Sequence, residues 1–130
     1  MQVRTQFSVF LINRPGVLAD VANALSDAGV NLEALSLADS GEHGVLRFVC
    51  HDEDVARRVL DEAHDRWTET DVLVLDVPNT PGQFAGIARR LADANINISY
   101  AYMTAAAEGE PSKAVFKVAD PAKAQDVLQK

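Results

Sequence analysis

The chain has 130 residues, 48% of them hydrophobic, which is enough to bury the core of one ordinary domain or two very small ones. Nineteen acidic side chains against twelve basic ones give a formal charge of -7, and no lysine precedes Lys113; the clustered positive charge that nucleic acid or an anionic membrane needs is missing, which leaves small molecules and proteins as partners. The single Cys50 excludes an internal disulfide framework and fits a reducing, cytoplasmic setting, and no apolar run reaches the roughly 18–20 residues of a membrane span or follows a basic start as a signal peptide would.

In chain order, the apolar, β-branched run "QFSVFLI" (6–12) predicts a buried strand. Asn13, Pro15 and Gly16 follow, then Leu18, Val21, Ala22, Leu25 and Ala28 at helical spacing, with Pro15 suited to the first helical position and Gly29 to a left-handed C-cap ahead of the apolar Val30. "VNLEALSLA" and "VLRFVCH" predict two further strands, Asp52 a helix cap, and Val55, Ala56, Val59, Leu60 and Ala63 one apolar stripe on a charged helix. A fourth strand is expected near Trp67, and the apolar run at 71–77 opens the next unit.

That next unit repeats the first. Residues 13–37 align with 79–103 without a gap, with nine identities that include Asn13/Asn79, Pro15/Pro81, Gly16/Gly82, Leu25/Leu91 and Asn31/Asn97. After an insertion of two residues in the second copy the register resumes, pairing Phe48 with Phe116, Asp52 with Asp120 and Leu60 with Leu128. Phe84, Ile87, Ala88, Leu91 and Ala94 repeat the helical stripe, and Asn95 and Ile96 stand where Gly29 and Val30 do. Two copies of a β-α-β-β-α unit with a closing strand, residues 1–68 and 69–130, predict an α+β fold: two ferredoxin-like βαββαβ repeats, each an antiparallel sheet with its helices on one face. Only Gln129 and Lys130 follow Leu128, so the second repeat is expected to lack its last strand. Strand 71–77 is apolar on both sides, Val72 and Val74 against Leu73, Leu75 and Val77, and helices cover one face, so a second copy of the chain is expected on the other, making a homodimer. Tyr100 and Tyr102 are expected on one face with Ile96 and Ile98.

The string "NRPGVLADVANALSDAGVNLEAL" resembles the opening strand-helix-strand segment of an ACT domain, and "NTPGQFAGIARRLADANINI" resembles it more loosely, so that a tandem pair spans nearly the whole chain. The resemblance implies a regulatory module that binds a small ligand, most often an amino acid, at an interface between paired domains, with ligand contacts at Asn13 and Asn79, Gly16 and Gly82, and Asn31 and Asn97. Serine-binding members carry a His two residues before the loop Asn; here those positions are Leu11 and Val77.

The chemistry agrees with that implication. An amino acid presents a carboxylate and an ammonium on one carbon. The amides of Gly16 and Val17, or of Gly82 and Gln83, fall in a helix's first turn, where they lack intrahelical partners and lie at the positive end of the helix dipole. Glycine lets a ligand approach the backbone, and an asparagine side chain both donates and accepts. Side-by-side repeats would bring Asn97 toward the Asn13 loop and Asn31 toward the Asn79 loop. The same Asn-x-Pro-Gly string also reads as a plain strand-to-helix corner. Gln83 and Phe84 in place of Val17 and Leu18 make the copies unequal, with the Asn13 loop the stronger.

No constellation points to catalysis. Cys50 and His51 are strand neighbours on opposite faces, and His43 and His64 share no metal-ligand spacing with them. The expected protein is thus not an enzyme: it needs no cofactor or metal, binds a free amino acid, and acts through itself or a metabolic enzyme as partner. The alternative is a subunit that docks on such an enzyme while its ligand sites are vestigial.

Overall fold

The computed structural model describes residues 1–63 and 66–130; His64 lies outside the described residues. The chain forms β1 (Gln2–Ile12), α1 (Val17–Asp27), β2 (Leu32–Ser40), β3 (His43–Cys50), α2 (Glu53–Glu62), β4 (Arg66–Pro78), α3 (Gln83–Asp93), β5 (Ile98–Met103), β6 (Pro111–Val118) and α4 (Pro121–Gln129). Two compact units divide it: Thr5–Thr70, and Asp71–Lys130 together with Met1–Arg4.

In the first unit β1 and β2 both pair antiparallel with β3, which lies between them, the arrangement a β-α-β crossover with a hairpin produces. Cross-strand partners put Phe7, Val9 and Leu11 on one sheet face with Phe48 and Leu46. Val21 and Leu25 of α1 and Ala56, Val59 and Leu60 of α2 cover that face, and Cys50 is buried in the same core, while His51 is exposed. The outer members of the α1 stripe, Leu18 and Ala28, remain exposed, so α1 presents a narrower apolar face than its sequence suggests. Residues Arg66–Thr70 of β4 belong to this unit. The Trp67 ring lies 6.0 Å from that of Phe7, and the Arg57 guanidinium donates two 2.9 Å hydrogen bonds to Glu69, fastening α2 to the strand and holding the Glu69 carboxyl below the usual carboxylate range.

The second unit repeats the plan, with β4 and β5 both antiparallel to β6. Leu73, Leu75, Val77, Ala114, Phe116 and Val118 form the sheet side of its core, and Leu91, Ala124 and Leu128 the helix side. No strand follows α4. Instead Met1–Arg4 groups with this unit, where Gln125 Nε2 donates to Met1 O at 3.2 Å. The strands expected separately near Trp67 and at 71–77 are one 13-residue strand whose two halves belong to different units. Met1–Arg4 thus groups with the second unit and Arg66–Thr70 with the first.

Val72 and Val74 are 0% and 4% exposed. A further expectation is corrected. A register shift between Ile98 and Tyr100 turns the strand: Ile96 and Ile98 pack on the helix-side core, whereas Tyr100 pairs with Lys117 and Tyr102 with Val115 on the opposite face.

The helix ends follow from local chemistry. Gly29 (φ 81°) and Asn95 (φ 59°) adopt the left-handed conformation, and the Val30 and Ile96 amides each donate at 2.9 Å to a carbonyl one and a half turns back, Leu25 and Leu91. Asp52 accepts from Val55 N at 3.2 Å and Asp120 from Lys123 N at 3.1 Å. Replacing either by alanine is expected to cost about 1 kcal/mol, read as a lower urea midpoint at unchanged slope.

The candidate ligand site at the repeated loop

Each Asn-x-Pro-Gly loop leaves a strand and enters a helix through a tight turn. Val17 N reaches Arg14 O at 3.5 Å and Gln83 N reaches Thr80 O at 3.4 Å, closing four-residue turns with Pro15 or Pro81 second and Gly16 or Gly82 third. The glycines have φ 91°, ψ -22° and φ 88°, ψ -13°, the third-position geometry of a type II turn, and they are the N-caps of α1 and α3. The prolines therefore precede the cap rather than occupy the first helical position: the left-handed glycine must intervene before the chain can turn into the helix. Backbone conformation accounts for both glycines, although the space where a Cβ would stand is open at each.

The asparagine anchors the loop. Asn13 N donates to Glu42 O at 2.8 Å, and its side-chain NH₂ donates to Gly41 O at 3.0 Å and to Asp39 Oδ1 at 3.2 Å. Asp39 Oδ1 also accepts from Gly41 N at 3.0 Å. Both amide protons of Asn13 are thereby spent, which leaves its carbonyl oxygen and the second oxygen of Asp39 as acceptors. The Gly16 amide has no partner among the described residues, and that of Val17 has only its long turn bond.

Beside this loop lies a cavity of about 160 Å³ lined by Asn13, Arg14, Leu18, Leu37, Asp39 and Gly44, among others. A guanidinium and a carboxylate on one small cavity match the two charges of a zwitterion, with Leu18 and Leu37 as apolar walls. Asp39 and Arg14 were not among the residues expected from sequence. The Asp-x-Gly spacing of the hairpin turn was a signal for Asp39, because its carboxylate caps the Gly41 amide two residues on.

The second copy is built differently. Asn79 N donates to Glu110 O at 2.8 Å, its side-chain NH₂ donates to Ala106 O at 2.9 Å, and its backbone carbonyl accepts from Gly109 N at 3.0 Å. Among the described residues no carboxylate takes the place of Asp39 on Asn79. Gly82 and Gln83 repeat the turn, and Phe84 stacks on Phe116 with ring centroids 5.4 Å apart.

The second-strand asparagines stand elsewhere in their own units. Asn31 precedes β2, whose far end carries Asp39, so the nine-residue strand puts about 30 Å between it and the Asn13 loop. Asn97 likewise precedes β5, where it lines a separate cleft of about 270 Å³ with Ser99, Asp120 and Lys123. Gly16 and Val17 are thus brought beside Asn13, and Gly82 and Gln83 beside Asn79, but neither Asn31 nor Asn97 joins the loop of its own unit.

The family model of the ACT domain pair matches residues 1–130. Among solved structures, protein BT0572 from Bacteroides thetaiotaomicron is 31% identical with a TM-score of 0.90, covering 98% of this chain and 87% of that one. The regulatory subunit of aspartate kinase from Thermus thermophilus, in its ligand-free form, is 15% identical with a TM-score of 0.71 over 98% and 91% of the chains. Its counterpart from Thermus flavus is 19% identical with a TM-score of 0.68 over 98% and 90%. No curated protein matches the sequence.

Proposed function

Because the chain belongs to the ACT domain pair family, we propose that it is a non-enzymatic regulatory protein that binds a free amino acid, with the head group held at the Asn13 loop. The observation that carries this is that Arg14, Asp39 and Asn13 line one cavity, with the Asn13 NH₂ turned to Asp39. The ligand ammonium goes to Asp39 and Asn13, and its carboxylate to Arg14 and the free Gly16 amide, with the Val17 amide at the helix start adding to the favourable field. At about 160 Å³ the cavity is smaller than a complete small-molecule pocket, so a further wall must come from outside the unit. Asn97 or Asn31 of a second copy in a homodimer fits that role. Occupancy would then bias how units pack, which is how such a module passes its signal to a partner enzyme. The fold is shared with regulatory subunits of aspartate kinase, which supports regulation in general and names no enzyme for this chain.

The second loop favours a second reading for that copy. Its glycine is explained by the turn, and the Asn79 side-chain NH₂ and backbone carbonyl both serve hairpin-closing contacts, so Asn79, Gly82 and Gln83 serve as scaffold while the protein docks on an enzyme. Thermal unfolding against each of the twenty amino acids at millimolar concentration separates the readings. A ligand at about 100 times its Kd adds roughly 2.7 kcal/mol and raises the Tm by several degrees. A rise with one chemical class of amino acid is expected; a flat response to all twenty favours docking alone.

A further inference from the structure

A larger cavity of the first unit, about 550 Å³, shares Arg14 with the loop cavity and extends from it toward α1 and α2. Its origin is visible in the difference between the repeats. In the second unit Arg90 of α3 donates to the carbonyls of Val127 and Lys130, both at 2.8 Å, and so ties α3 to the end of α4. The residue aligned with Arg90 is Ala24, which is too short to cross, and it lines the cavity left between α1 and α2.

Buried Leu11, Val21 and Leu60 supply aliphatic walls. Arg14 and Arg66, both exposed, line the same cavity, against one acidic side chain, Asp20. Among the described residues neither arginine has a carboxylate partner, and the Arg66 guanidinium is steadied 5.9 Å from the centre of the Phe10 ring. An excess of positive charge over an aliphatic cavity, in a chain of net charge -7, is the complement of an amphipathic anion. The volume falls in the range of small-molecule pockets. We infer that the gap between α1 and α2 is a second binding site, for an aliphatic carboxylate whose chain lies on Leu11, Val21 and Leu60 and whose head group pairs with Arg66 and Arg14.

Sodium octanoate is the probe, followed through the methyl resonances of Val21 and Leu60 in the full chain. Saturable shifts are expected with octanoate, with octanol at least about tenfold weaker because it lacks the charge-assisted pairing. Arg66→Gln should weaken octanoate by about tenfold while leaving octanol unchanged. Ala24→Arg, which installs the side chain the second repeat carries, should abolish binding in a protein that keeps its folded spectrum. Absence of saturable shifts, octanol binding as tightly as octanoate, or undiminished binding to Ala24→Arg would each overturn the site. Arg66 and Ala24 do not line the loop cavity, which is read by amino acids, so either assignment can fail without the other.

Discussion

Phe7→Ala is expected to remove about 3–5 kcal/mol of folding stability, the range for truncating a large aromatic side chain in a packed core. Phe7 is fully buried at the middle of β1 and touches three elements: its ring is 5.3 Å from that of Phe48 on β3, 6.0 Å from Trp67 on β4, and 5.7 Å from the Arg57 guanidinium on α2. One truncation therefore loosens both the strand pairing and the helix cover, in a protein whose whole stability lies within about 5–15 kcal/mol. Urea unfolding should show a much lower midpoint with little change in slope. A loss below about 1 kcal/mol would mean that the cavity collapses and that the first unit does not rest on this cluster.

Asp39→Ala is expected to weaken amino-acid binding by about 10- to 100-fold, corresponding to the 1.5–3 kcal/mol of a charged hydrogen bond. Two effects act together. The carboxylate that would take the ammonium is gone, and the Asn13 NH₂ and the Gly41 amide lose the acceptor that fixes the loop. Asp39 is exposed, so stability should change by less than about 1 kcal/mol, and calorimetric titration can separate the two quantities. Asp39→Asn keeps an acceptor for the loop while removing the charge. It should resemble Asp39→Ala in affinity and the parent protein in stability; parental affinity in both variants would take Asp39 out of the site.

Much of the fold is legible in the sequence because it is written locally and twice. The left-handed C-caps at Gly29 and Asn95, the aspartate caps at Asp52 and Asp120 and the apolar runs of β1 and β4 depend on near neighbours, and the repeat confirms each one by its copy. The long-range features are hidden. Nothing near Met1 in sequence indicates that Met1–Arg4 belongs with Asp71–Lys130, since that grouping depends on how one long strand divides between units. The shift at Ile98–Tyr100 reverses which face the tyrosines share, and strand alternation alone cannot reveal an irregularity.

The candidate site divides the same way. The loop asparagine and glycine are visible as a motif, but what the structure assigns them is first of all a turn: a positive φ at Gly16 and hairpin-closing hydrogen bonds from Asn13. The groups that give the cavity its charges, Asp39 on β2 and Arg14 at the variable position of the motif, emerge only when β2 is brought alongside. The two copies of the motif then part: Asn13 shares its NH₂ with a carboxylate, whereas Asn79 donates its own to the backbone carbonyl of Ala106.

The central claim is that an amino acid binds at the Asn13 loop, and amide-resolved NMR titration of the intact chain tests it most directly. With the amino acid that raises the Tm, the Asn13 side-chain NH₂ and the Gly16 and Val17 amides should shift saturably, with smaller changes at Gly82 and Gln83. Shifts absent from the Asn13 loop, or confined to residues remote from it while the amino acid stabilises the protein, would contradict the assignment.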